Sequence, residues 1–157
     1  MHKLIDIIAY ILLHTPNPDI LSKYRVTKMV YLADWCSCVN RGYQMSNIKW
    51  FFDNYGPFVW DVYNTVENNP NIFSISYNRT YYGETKMLFS MKDISYCPNL
   101  SNTSRSLLDF IISQTCNLPT SEFTRLVYNT YPILTTKRYH FLNLPQKAFE
   151  YTHNKIN

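Results

Sequence analysis

The sequence predicts an α+β fold, a mostly α-helical single domain with a small antiparallel β-sheet or hairpin. Three observations carry this prediction. Apolar side chains recur at helical spacing in several segments, the longest spanning residues 21–39. Two short runs, Phe73/Ile75/Tyr77 and Met87/Phe89/Met91, instead repeat with a period of two. Between these patterns, Gly56-Pro57 breaks the chain sharply after the aromatic run Trp50-Phe51-Phe52. At 157 residues, with 46% apolar and 17% charged side chains, the chain suits one domain with a continuous core and not a disordered segment.

The elements follow in order. Leu4, Ile7, Ile8, Ile11 and Leu12 make a first helix over residues 3–14, stopped by Thr15-Pro16-Asn17-Pro18. Asp19 is placed to cap the second helix, residues 21–39. That helix has Val26, Met29, Val30, Ala33 and Cys36 on one face and Tyr31, Leu32, Trp35 and Val39 on another. A helix apolar on two sides is buried between neighbours, so it is expected at the centre, with Gly42 beyond its end. Residues 48–52 predict a strand. Pro57, whose φ suits a first helical turn, predicts a third helix from residue 57 to about 68, with Val59, Val62, Tyr63 and Val66 on the core side. Strands at 72–77 and 87–91 complete the β element with 48–52. Ser101 or Thr103 caps a fourth helix, and Leu118-Pro119-Thr120-Ser121 opens a fifth. The whole chain, 1–157, reads as a single domain with an irregular C-terminal tail from about residue 133, except for a short helix starting at Leu144-Pro145.

Composition narrows the chemistry. The net charge of +4 is mild, and the cluster Lys23, Arg25 and Lys28 reads as a solvated face, so no nucleic acid partner is expected. With three glycines there is no phosphate-binding loop. The four cysteines and four histidines lack metal-ligand spacing, so no metal and no cofactor is predicted. Asp34 and Asp53 read as capping or surface carboxylates, and no catalytic set emerges; the chain is not expected to be an enzyme. No signal-peptide pattern is present and Leu4–Leu13 is too short to span a bilayer, which predicts a cytoplasmic protein away from membranes. Aromatic residues reach 17%, either core filling or in part a partner-binding face.

Several blocks resemble the Panacea domain, also called the SocA-like antitoxin family. Lys28-Met29-Val30-Tyr31-Leu32-Ala33-Asp34 is similar to its characteristic helix, and Gly42-Tyr43 with Ile48-Lys49-Trp50 to the segment after it. Asn54-Tyr55-Gly56-Pro57-Phe58-Val59 with Val62-Tyr63 looks like its signature turn, and Ser121 to Pro132 resembles a late helix end. Two departures stand out: Ile133 replaces an aromatic after the late proline, and Phe58 and Trp60 are bulky.

The resemblance implies an antitoxin that neutralises a cognate toxin encoded next to it by direct protein–protein binding. The alternatives it leaves open are an adaptor delivering the toxin to an ATP-dependent protease and an enzyme reversing the toxin's effect. Relatives occur in phages and prophages. Phe58, Trp60 and Tyr55 are the expected toxin-binding residues; Trp60 either anchors that interface or packs under the hairpin. Lys28, Tyr31, Gly56, Pro57 and Tyr63 are the expected structural motif, and Tyr55 also shapes the turn.

Overall fold

A computed structural model describes residues 1–79 and 81–154. Its helices are α1 (Leu4–His14), α2 (Lys23–Arg41), α3 (Asp61–Glu67), α4 (Asn102–Thr115), α5 (Thr120–Tyr128), α6 (Tyr131–Leu134) and α7 (Leu144–Asn154). Two antiparallel hairpins accompany them: β1 (Phe51–Asp53) with β2 (Gly56–Phe58), and β3 (Phe73–Arg79) with β4 (Thr85–Met91). The α+β class is as the sequence predicts.

Helix α2 is the axis, touched by α1, α3, α4, α7, β2 and β4. Its start is set by Ser22, whose hydroxyl accepts the Arg25 N–H at 3.0 Å. Its end is set by Gly42, which takes φ 83° and returns its N–H to the Cys38 carbonyl. Asp19 does not cap it; Pro18–Ile20 forms a 3₁₀ turn, and the serine beyond that turn has the extended backbone a cap needs. Val26, Met29, Val30, Tyr31 and Ala33 are all fully buried. The Tyr31 ring meets Trp50 edge-on at 5.5 Å. Its hydroxyl donates to Thr130 Oγ1 at 2.8 Å, because Thr130 spends its own proton on the Val127 carbonyl.

Three expectations need correcting. Pro57 does not open a helix; it lies in β2, opposite Phe52. Phe52 directs its N–H to His140 (2.9 Å) and accepts from Tyr139 N (2.6 Å), so nothing on that pair asks Pro57 for a donor. Proline's φ suits such an edge as well as it suits a helix start. α3 begins at Asp61, whose charge favours a helix N-terminus. Residues 48–52 do not join the later hairpin either. β1 pairs with β2 on one side, and on the other leans on the 139–142 segment, where Leu142 N donates to the Trp50 carbonyl at 2.8 Å. Lastly, the region after 133 is not an irregular tail. α7 runs eleven residues and packs on α2, with Tyr151 edge-on to Trp35 at 5.7 Å.

Candidate functional site

Around the N-terminal half of α2, the β1–β2 hairpin folds over to form a pocket of about 310 Å³. Lys23, Tyr24 and Lys28 line it from the helix; Asp53, Asn54, Tyr55 and Phe58 line it from the hairpin. The hairpin is shaped by Gly56, which sits at φ 97° after the Asn54-Tyr55 turn. A Cβ on Gly56 would stand 3.3 Å from the Tyr128 ring, so both the backbone angle and the space select glycine.

The rim is aromatic. Phe58 meets Trp60 edge-on at 5.3 Å, and Trp60 meets Tyr63 at 5.9 Å. Trp60 is 57% exposed and Tyr55 76% exposed. Trp60 therefore does not pack under the β3–β4 hairpin; it occupies the N-cap position of α3, with its ring turned to solvent. The Lys23 ammonium lies 4.2 Å from the Trp60 ring centre and 5.0 Å from that of Tyr63, a cation over π faces.

Lys28 forms the floor. Only 1% of its surface is exposed. Its Nζ lies 4.7 Å from the Tyr24 ring centre and 5.5 Å from that of Phe58. Among the described residues the salt bridge formed is Lys147–Glu150, and no hydrogen bond or ion pair engages the Lys28 ammonium, which opens onto the pocket. Burial pushes the Lys28 amine down to about 8; Asp53 pulls it partly back and Lys23 lowers it further.

The basic cluster is thus not a solvated face. Lys28 is buried, and Arg25 is buried too, donating to the Thr115 and Leu118 carbonyls at 2.9 and 2.7 Å with its guanidinium 4.3 Å from the Phe123 ring centre. Nor is Asp34 a surface carboxylate. It is fully buried and accepts from Ser46 N (2.8 Å), Ser46 Oγ (2.6 Å) and Trp50 Nε1 (2.8 Å). Burial raises it to about 6 against the opposing pull of those hydrogen bonds. This network ties the loop after α2 to Trp50, the residue before β1. Asp34 and Asp53 do not make a pair: Asp34 is sealed in this network and Asp53 faces the pocket. Among the described residues no group of three or more His, Cys, Asp or Glu side chains is placed to hold a metal, and no helix is long and apolar enough to cross a membrane.

Of the residues named from the sequence, Tyr55, Phe58 and Lys28 line the pocket, Trp60 meets Phe58 just outside it and Tyr63 meets Trp60, while Gly56 and Pro57 lie in the hairpin between Tyr55 and Phe58. Tyr31 lies apart, in the core. Lys23 and Tyr24 were missed as site members; their signal was the spacing to Lys28, which sets all three on the start of one helix.

What these residues build is a small helical α+β domain presenting an aromatic, lysine-floored surface pocket. The chain belongs to the antitoxin SocA-like, Panacea domain family, whose model matches residues 26–132. That match includes Lys28, the whole β1–β2 hairpin and Trp60. The search of curated proteins and the search of solved structures gave no match.

Proposed function

We propose that this protein is a cytoplasmic antitoxin that neutralises a toxin encoded next to it by direct protein–protein binding, and that Tyr55, Phe58 and Trp60 contact that toxin. One observation carries the reading beyond family membership. A tryptophan 57% exposed and flanked by Phe58 and Tyr63 is costly to leave in water, and it has the character of an interface anchor. Lys23 gives the rim a cationic edge.

Growth after induction of the neighbouring reading frame, with and without this chain, tests the proposal. Rescue together with stoichiometric co-purification supports direct neutralisation. Trp60→Ala should fold normally, since its ring is largely exposed, yet weaken the complex about 30-fold, the equivalent of a hot spot worth about 2 kcal/mol. Shortening of toxin half-life only when an ATP-dependent protease is present would instead favour an adaptor. Rescue at strongly substoichiometric amounts would favour an enzyme. A harmless neighbour, or a toxic one that this chain does not rescue, removes the proposal.

A further inference from the structure

We infer that the pocket takes one carboxylate, an Asp or Glu side chain that the toxin inserts beneath the aromatic rim to meet Lys28. The inference rests on the binding reading above and names the group that the pocket recognises.

The argument starts from an unmet charge. A lysine ammonium carries three donors and no acceptor. Lys28 is 1% exposed, no protein group among the described residues bonds its ammonium, and its Nζ reaches solvent only through the pocket. Buried charges are ordinarily paired, because leaving one unpaired in a low dielectric is costly. The rings of Tyr24 and Phe58 offer only their faces, at 4.7 and 5.5 Å. The ammonium is nonetheless placed on the wall of an open pocket, so a ligand can reach it.

Charge then selects the ligand. The pocket is lined by two ammoniums, Lys23 and Lys28, and one carboxylate, Asp53. One further carboxylate brings it to neutrality, whereas a phosphate dianion would overshoot and face Asp53. Both lysines border the same ring, with Nζ atoms 5.6 and 5.5 Å from the Phe58 centre. A volume of about 310 Å³ leaves room for such a side chain, with its aliphatic stem against Tyr24, Tyr55 and Phe58. The groups facing Lys28 are Lys23 and the Tyr24 phenol from α2, Asp53 from β1 and the Tyr55 phenol from the turn. With Lys28 brought down to about 8, a bound carboxylate holds it protonated; toxin binding is then level below pH 8 and weakens above it.

Two measurements on the full chain test this. In the first, lysine side-chain amines are followed by NMR during titration with sodium acetate, against sodium chloride at equal ionic strength, and the Lys28 signal is assigned by its loss in Lys28→Met. A saturable, acetate-specific shift of that signal is expected, with its titration midpoint raised by about one pH unit, a tenfold change in protonation. A response identical to that of chloride overturns the inference. In the second, toxin affinity is measured from pH 7 to 9. Lys28→Met should bind at least tenfold more weakly at pH 7 and lose the decline above pH 8. Normal, pH-matched binding by Lys28→Met alongside an acetate response would assign the pocket to a free carboxylate and overturn the toxin side chain as its occupant. If Lys28→Met binds normally while Trp60→Ala does not, the inference fails and the binding reading stands. If the wild-type chain binds no toxin, the binding reading itself fails, and the toxin-side-chain assignment fails with it.

Discussion

Lys28→Met should make this protein more stable, an unusual outcome for a change at a fully buried position. The stem of methionine follows that of lysine closely, so the core around α2 keeps its volume. What changes is the charge. Each tenfold change in a protonation equilibrium is worth about 1.4 kcal/mol. A descent of the amine from 10.5 to about 8 therefore costs the folded state about 3 kcal/mol wherever the lysine is charged in both states. Below pH 8 that cost is complete. Between pH 8 and 10.5 the folded lysine has released its proton while the unfolded one still holds it, so wild-type stability rises through that window relative to the mutant. Urea unfolding at pH 7, 8, 9 and 10.5 reads this directly. Lys28→Met should lead by about 3 kcal/mol at pH 7, and the lead should shrink toward zero by pH 10.5. Pairing the two proteins at each pH cancels the tyrosines, which titrate in both. A mutant less stable at pH 7, or a gap that does not change with pH, would refute the picture of an uncompensated buried ammonium.

Three further outcomes follow from the same geometry. Gly56→Val should lose about 2–3 kcal/mol in urea unfolding, from a side chain forced to φ 97° and from a Cβ 3.3 Å from Tyr128; stability should fall before toxin affinity does. Asp34→Asn keeps the shape but replaces one acceptor with a donor, and should cost about 1–3 kcal/mol at pH 7. Because Asp34 holds its proton up to about 6 when folded, wild-type stability should fall by up to about 3 kcal/mol as pH rises from 4 to 6, and a matched pH series should show that slope missing in Asp34→Asn. Tyr31→Phe removes a hydroxyl donated to Thr130 and should cost about 1 kcal/mol by thermal melting, with toxin binding unchanged.

The sequence was most legible where local chemistry decides. The two apolar faces of α2 and the Gly42 beyond its end announced a central helix, although its cap was read as Asp19 and is Ser22. Where a distant segment decides, the sequence misled. Proline's φ fits both a helix start and a strand edge, and the choice was made by residues 139–142, which dock on β1 from far along the chain. Asp34 looked like an ordinary helix carboxylate because its partners, Ser46 and Trp50, return to it only after the turn at Gly42. The lysines looked solvated because the rings that cover them, Phe58, Trp60 and Tyr63, arrive from the hairpin and the start of α3. For α7, the start at Leu144-Pro145 was visible, but its length and its seat against Trp35 were set by tertiary packing.

The docking of residues 139–142 on β1 also bears on how this domain can be transplanted. The family match stops at residue 132, yet β1 is hydrogen-bonded through Phe52 to Tyr139 and His140, and Trp50 just before it to Leu142. A graft cut at the edges of the match would carry Tyr55, Phe58 and Trp60 but lose Lys23 and Tyr24, and would leave the Phe52 amide and carbonyl unanswered. The minimal portable unit therefore runs at least from the cap Ser22 through Leu142. Exchanging only the 133–142 stretch is a way to re-aim the rim without altering any residue that lines the pocket.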